Sequence, residues 1–139
     1  LVLSTGIIGE FLPMTTVTSG IEAAAAKLGA DTDAAVSAGR GMMTTDTRPK
    51  LAGASFHVGE VEYKLFGMAK GAAMIGPRLA TMLGVVLVDA PIEPADAQRL
   101  LADAAEETFN CVSVDGHMST NDTVLLLANG AAGGPPLTG

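Results

Sequence analysis

The stretch "TMLGVVLVDAPIEPADAQRLLADAAEETFN", residues 81–110, decides the fold class because a strand-like run is followed directly by a helix-like one. Its first part, "MLGVVLV", is a continuous apolar run with the length and composition of a buried β-strand. Its second part begins at Pro94, a residue that is favoured in the first turn of a helix. Small and apolar residues then recur at helical spacing and predict one buried face, made of Ala97, Leu100, Leu101, Ala104, Ala105 and Phe109.

The flanking segments extend this alternation of strands and helices. Alternating apolar and polar residues on both sides of Gly59 predict a strand, a turn and a second strand. Nearer the N-terminus, Ser19 is expected to cap a short helix, with Glu22 three positions later and Gly29 as its stop. Downstream, "TNDTVLLLANG" predicts a buried strand that ends at Gly130. The apolar strands have the composition of strands buried on both faces, so the sequence predicts a layered α/β or α+β fold with helices covering a sheet.

Composition limits the classes of function. The chain has 139 residues, 48% of them hydrophobic, and a net charge of −7, as expected for one globular domain or part of one. Because it opens without Met and closes on a Gly/Pro-rich loop, we expect a single partial domain over residues 1–139 of a longer chain. The eight Lys and Arg are scattered singly, which argues against a nucleic-acid partner.

Hydropathy and cysteine content predict the surroundings of the protein. No apolar run approaches the roughly 20 residues that span a bilayer, so we expect no membrane partner. A single cysteine, Cys111, cannot form an internal disulfide. This fits a reducing compartment, and we therefore expect a cytoplasmic location.

Thr81 stands where a Gly- and Met-rich segment meets the apolar strand. A threonine hydroxyl is a weak nucleophile at neutral pH, but its own α-amino group can serve as the base once the residue becomes an N-terminus. Exposing that amine requires cleavage of the Ala80–Thr81 bond, most simply by attack of the Thr81 hydroxyl on the Ala80 carbonyl. A small Ala80 before a stiff strand suits such an attack. On the pattern alone, the commoner interpretation is that Thr81 merely opens a strand.

Four segments strengthen the catalytic interpretation: "STGIIGEFLPM", "MMTTDTRPK", "GMAKGAAMIGPRLATML" and "DGHMSTNDTVLLLANG". In order and approximate spacing they resemble the ornithine acetyltransferase family, also called bifunctional glutamate N-acetyltransferases, over nearly the whole chain. The resemblance implies an αββα-type layered sandwich and an enzyme of arginine biosynthesis that cuts itself before the Thr of "ATML". Residues 1–80 would then end the N-terminal (alpha) product, and residues 81–139 would begin the C-terminal (beta) product.

The resemblance also assigns site residues. Thr81 becomes the nucleophile, and Thr5 and Gly6 of "STG" become the oxyanion hole that stabilises negative charge during acyl transfer. Thr47 of "TTDT" and Lys70 of "MAKG" become substrate contacts together with Thr81. Taken without the resemblance, Thr5 and Gly6 are typical of a strand end with a glycine turn, Thr47 of a turn, and Lys70 of a solvated surface.

The implied reaction is a ping-pong transfer through an acetyl-threonine. The acetyl group moves from N-acetylornithine to Thr81 and then to glutamate, and acetyl-CoA serves as a second donor in bifunctional members. The family chemistry requires no metal or prosthetic group. The two cleavage products are expected to form a heterodimer that assembles further, into a heterotetramer.

Two other classes of function stay open at this point. A related self-processing aminopeptidase or amidase would hydrolyse the acyl-enzyme, although such enzymes usually carry Ser where this chain has Thr81. A non-catalytic fragment would only pack against a partner. A cysteine–histidine pair or metal site built from His57, His117 and Cys111 is disfavoured because no ligand spacing is present.

The chain departs from the family pattern at two places. It has Ala72-Ala73 where Ser-Gly is usual, a change that keeps the residues small. It has His117 where an acidic residue is usual, and this change bears on substrate preference or on local polar pairing.

Overall fold

A computed structural model describes residues 3–7, 9–76, 82–119 and 121–138. Ala80 and Thr81, the expected cleavage pair, lie outside these ranges. The elements in chain order are α1 (Met14–Ala25), α2 (Thr32–Met42), β1 (Lys50–Val58), β2 (Val61–Lys70), β3 (Leu83–Val88), α3 (Pro94–Glu107), a 3₁₀ turn (Phe109–Cys111) and β4 (Thr123–Ala128).

The strands form a mixed sheet in the order β1-β2-β3-β4. β1 and β2 are an antiparallel hairpin, β2 and β3 are also antiparallel, and β3 and β4 are parallel. The predicted strand, turn and strand are confirmed, since Gly59 lies in the hairpin turn with a φ of +61° that favours glycine. The strands predicted after Thr81 and before Gly130 are also confirmed.

Helix α3 crosses from β3 to β4 and begins at Pro94, as predicted. It packs against β4 and continues into the 3₁₀ turn, where Phe109 lies against Gly84 of β3. A Cβ added at Gly84 would be 3.6 Å from the Phe109 ring, so the small residue brings ring and strand together. The parallel strands with their helical crossover thus place the start of β4 beside the start of β3.

The hydrophobic core centres on Tyr63 of β2, with Val88 and Ala90 at and just beyond the end of β3. Tyr63 is fully buried, and its ring centroid is 5.4 Å from that of Phe56 on β1. The segment after β4 folds back on this core, where Leu137 forms a bridge with Ile92. This packing fixes one end of the sheet, whereas β2 ends and β3 and β4 begin at the opposite end.

The first helix starts earlier than predicted. Helix α1 begins at Met14 rather than after Ser19, because Pro13 takes the capping position and its carbonyl accepts the Val17 N–H. Ser19 lies inside the helix, where its hydroxyl donates to the carbonyl of Thr15. The predicted N-cap was therefore wrong, although the helix exists.

Helix α2 was not predicted. Its Asp31 cap accepts a hydrogen bond from Ala34 N–H at 2.8 Å, and Gly39 rests against Leu51 of β1. A Cβ added at Gly39 would lie 2.7 Å from a Leu51 methyl carbon, so the helix approaches the strand closely. Leu51 and Phe56 point to opposite faces of β1, and Phe56 shares a cavity with Leu100 and Leu101 of α3. Helix α2, which contacts Leu51, therefore covers part of the sheet face opposite α3.

The expected coverage of the strands is only partly observed. Leu83 and Val88 of β3 are buried, whereas Leu87 and Leu127 are 37% and 44% exposed. The described residues form a mixed α+β fold with one sheet, which confirms the fold class. The second sheet of an αββα sandwich is not seen among them, and that detail stays a prediction.

Candidate active site

Three segments meet at one end of the sheet, where β2 ends and where β3 and β4 begin. In the strand register Lys70 is opposite Leu83, and Leu83 is opposite Thr123. Leu83 is two residues after Thr81 in the chain. The fold therefore brings Lys70 of "MAKG", Leu83 of "ATML" and Thr123 of "STNDT" to one end of the sheet.

Lys70 is the last residue of β2 and is only 2% exposed. It lies on the sheet face that α2 covers, because Leu51 is paired with Met68 and side chains two residues apart share a face. Among the described residues, no hydrogen bond or ion pair engages its ammonium group. The interpretation without the family resemblance, a solvated surface lysine, is therefore wrong.

Asp46 connects the "TTDT" loop to this end of the sheet, and its side chain is fully buried. Its Oδ1 accepts the N–H of Gly71 at 2.8 Å, although the two residues are 25 positions apart in the chain. Its Oδ2 accepts the N–H of Thr44 at 3.4 Å, and the ammonium of Lys50 forms an ion pair with Oδ1. One carboxylate thus joins the loop, the start of β1 and the end of β2.

The electrostatics of Asp46 favour its charged form. Burial raises the pKa of its carboxyl, but hydrogen bonds from Lys50, Gly71 and Thr44 act in the opposite direction. The net effect is a pKa below the ordinary value of 3.8. Asp46 is therefore an anion at neutral pH.

Asp122 anchors the beginning of β3. Its Oδ1 accepts the backbone N–H of Met82 at 2.8 Å, and its Oδ2 is buried without a hydrogen-bond partner in the part of the chain that the structure describes. Met82 directly follows Thr81. The carboxylate therefore holds the first described amide after the expected cut.

A second anchor holds the segment that precedes the expected cut. Asp115 accepts the N–H groups of Met74 and Ile75 at 2.9 and 3.0 Å. In the reverse direction, the Ile75 carbonyl accepts N–H groups from Val114 at 2.9 Å, Asp115 at 3.4 Å and Gly116 at 3.2 Å. We call the contact between residues 74–76 and 114–117, which these mutual bonds hold together, the clasp.

The clasp has close backbone packing and a charged centre. A Cβ at Gly76 would be 3.0 Å from backbone atoms of Gly116 and His117, and Met74 has a φ of +55°, which is unusual for a residue other than glycine. The N–H of Met74, followed by that of His117, lowers the pKa of the Asp115 carboxyl. His117, the departure from the family pattern, is exposed with its Nδ1 3.6 Å from Asp115 Oδ1.

The remaining predicted site residues are not all brought together. Thr47 follows Asp46 and is exposed at the same end of the sheet. Thr5 and Gly6 lie in an exposed segment before α1, and no hydrogen bond among the described residues joins them to the sheet. Their role as an oxyanion hole, like the roles of Ala80 and Thr81, stays a prediction.

The described residues contain no group of three His, Cys, Asp or Glu side chains placed to hold a metal ion. Nor does any described helix have the length and apolar character needed to cross a bilayer. His57 and Cys111, two members of the disfavoured nucleophile pair or metal site, are exposed.

A model of the ArgJ family matches residues 1–138. The chain belongs to the ArgJ family. This membership confirms the resemblance that was drawn from the four sequence segments, and it covers both anchors of the candidate site.

Curated ArgJ proteins from fungi are similar along almost the whole chain. The protein of Aspergillus terreus is 50% identical over 99% of the chain, that of Pyricularia oryzae 49% over 96%, and that of Yarrowia lipolytica 46% over 99%. Each is named an arginine biosynthesis bifunctional protein ArgJ, mitochondrial. The chain spans 30% to 32% of the length of these relatives.

These ArgJ names correct the expected location. A cytoplasmic protein was predicted from the single cysteine, whereas the three fungal relatives are named mitochondrial. The prediction was wrong because cysteine content indicates redox conditions and does not identify the compartment to which a protein is targeted.

Three aspartates of this ArgJ chain were missed as site residues: Asp46, Asp115 and Asp122. Each stands inside a segment that carries the family resemblance, namely "TTDT", "DGHM" and "STNDT". Aspartates in such loops are typical of turns, where the side chain bonds to nearby backbone. All three, however, also reach N–H groups at least 25 positions away in the chain.

Proposed function

We propose that the protein is a self-processing acyltransferase that moves an acetyl group from N-acetylornithine to glutamate. The observation that carries the proposal is the ArgJ-family match across residues 1–138, together with the bifunctional arginine-biosynthesis names of the relatives. The convergence of Lys70, Met82 and Asp122 at one end of the sheet supports it.

Thr81 is the proposed nucleophile in two successive reactions. In self-cleavage its hydroxyl attacks the carbonyl carbon of Ala80, an ester forms as the peptide C–N bond breaks, and water then hydrolyses the ester. The products are a carboxylate on Ala80 and a free α-amine on Thr81. In transfer, that amine takes the hydroxyl proton as the oxygen attacks the acetyl carbon of N-acetylornithine.

The acetyl group then moves on to glutamate. The α-amine of Thr81 returns its proton to the leaving nitrogen, so ornithine departs and an acetyl ester remains on the threonine. The amine of glutamate attacks this ester, which gives N-acetylglutamate and restores the hydroxyl. Thr5 and Gly6 are the proposed donors to the oxyanion in both halves.

Lys70 is the proposed contact for a substrate carboxylate. A buried cation without an anionic partner is costly, and an incoming carboxylate would relieve that cost. Its exposure of 2%, its lack of a partner among the described residues and its position opposite Leu83 support this role. Thr47 is the proposed neighbouring contact.

The proposal extends to the setting of the whole protein. We propose that the second sheet of an αββα sandwich completes the fold, that no metal or prosthetic group takes part, and that acetyl-CoA is a second donor. The two cleavage products, one ending at residue 80 and the other beginning at residue 81, form the proposed heterodimer and heterotetramer. A mitochondrial location is proposed from the names of the fungal relatives.

The test is the partition of the acetyl group in the full-length protein. With N-acetylornithine and saturating glutamate, acetyl transfer to glutamate should greatly exceed release of acetate. Acetate as the main product would instead favour a self-processing amidase or aminopeptidase. If a folded and cut protein forms neither N-acetylglutamate nor acetate, the remaining interpretation is a non-catalytic fragment that packs against a partner.

A further inference from the structure

We propose that Asp46 is a positioning residue for acetyl transfer, because its buried carboxylate holds the loop of Thr47 against the strand end that carries Lys70. The inference rests on the proposed function, in which Thr47 and Lys70 contact the substrate. Asp46 itself needs no contact with the substrate.

The first step is the geometry of the carboxylate. Its two oxygens have different partners: Oδ1 accepts the N–H of Gly71 at 2.8 Å, and Oδ2 accepts the N–H of Thr44 at 3.4 Å. The side chain has no exposed surface, so water cannot replace either bond without a rearrangement. Asp46 therefore ties the loop backbone to the strand backbone.

The second step concerns the residues that these two backbones carry. Thr47 directly follows Asp46, and Lys70 directly precedes Gly71, so a shift of the carboxylate would move the two proposed contacts relative to each other. Gly71 has a φ of +149°, a conformation that other L residues rarely adopt. The glycine turns its N–H toward Asp46 just where β2 ends.

The third step is charge. The ion pair of Asp46 is with Lys50, whose side chain is 44% exposed. Lys70 is nearly buried, and no anion pairs with it among the described residues. The Asp46 charge is thus matched by Lys50, and the Lys70 charge is left for a substrate carboxylate.

The experiment compares wild type, Asp46→Asn and Asp46→Ala in the full-length enzyme, well below the temperature at which each variant unfolds. Asn keeps an oxygen that can accept from Gly71, whereas Ala keeps none. We expect the KM for N-acetylornithine to rise about tenfold in Asp46→Asn and further in Asp46→Ala, with a smaller change in kcat. Calorimetric titration with N-acetylornithine should show the same order of affinities.

Two controls separate positioning from a purely structural role. Asp103→Asn makes the same change of charge on the exposed surface of α3 and should leave KM unchanged. Lys50→Met removes the ion pair but keeps the bond to Gly71, and should raise KM less than Asp46→Ala does. A structural brace alone would lower the unfolding temperature and the fraction of active enzyme without a change in KM.

The outcomes are distinct. If wild type transfers acetyl groups and Asp46→Asn has the wild-type KM, the inference is overturned while the proposed function stands. If Asp46→Ala does not fold, Asp46→Asn decides alone. If wild type neither transfers acetyl groups nor binds N-acetylornithine, the proposed function fails and takes the inference with it.

Discussion

The carboxylate of Asp122 accepts a hydrogen bond from the backbone N–H of Met82, with 2.8 Å between Oδ1 and the nitrogen. That nitrogen belongs to the peptide bond that joins Met82 to Thr81. A charged acceptor makes a stronger bond to an amide than a neutral one does. Asp122 therefore fixes the chain immediately after the proposed nucleophile, and its other oxygen is buried beside it.

We expect Asp122→Asn to slow self-cleavage about tenfold, because the loss of charge weakens this anchor and loosens the alignment of the attacking group. The amide would also bury an NH₂ group where the carboxylate has an oxygen. The measurement is the mass of the purified full-length protein over time after synthesis. Asp103→Asn is the matched control, and equal cleavage in both variants would refute the prediction.

Thr81→Ala should leave the protein as one chain without transferase activity, because neither the attack on Ala80 nor the acetyl ester can form without the hydroxyl. Thr81→Ser keeps the oxygen and loses the methyl group that restricts the rotamer, so slower cleavage and some activity should survive. Intact mass and acetyl transfer are measured together. If Thr81→Ala is still cleaved and still transfers acetyl groups, Thr81 is not the nucleophile and only precedes a strand.

Lys70→Met should raise the KM for N-acetylornithine at least about tenfold, since a hydrogen bond to a charged group contributes about 1.5 to 3 kcal/mol. Met is close to Lys in length and apolar, so the buried position should tolerate it. Lys64→Met is the control, because Lys64 lies on the same strand and the same face but is exposed. An unchanged KM in Lys70→Met, from steady-state kinetics, would exclude the contact.

Asp46 should make stability depend on pH in the acid range. Its folded-state pKa lies below the ordinary value of 3.8, so its contribution is fully present above that value and is lost as the pH falls through the folded-state pKa. We expect Asp46→Asn to lower the free energy of unfolding by about 1 to 3 kcal/mol at neutral pH. Denaturant unfolding at several pH values checks this: a gap to wild type that stays constant below pH 3.8 would contradict it.

The sequence predicts those parts of the fold that have local signals. Pro94 with its apolar periodicity marks α3, and Gly59 between alternating residues marks the hairpin. Helix α2 also had signals, an Asp31 cap and Arg40 in the last turn, but Gly39 and Gly41 lower its intrinsic helix propensity and obscured them. Such a helix depends on packing against Leu51, a contact that a local pattern does not contain.

The candidate site was predictable only in part, and for a different reason. Thr81, Thr47 and Lys70 were nominated through the family resemblance, which works on residue identity. The bond from Gly71 to Asp46 joins groups 25 positions apart and exists only once β1 and β2 have paired. No spacing in the sequence encodes it.

If the chain is cut between Ala80 and Thr81, the pairing of β2 with β3 becomes a contact between two subunits. The ladder from Leu65–Val88 to Lys70–Leu83 would then run between two polypeptides, and so would the clasp. The two products could not dissociate without exposing the unpaired backbone N–H and C=O groups of β2 and β3 to solvent. The subunit interface would form when the precursor folds, before the chain is cut. Assembly of the dimer would therefore need no association of separately folded chains.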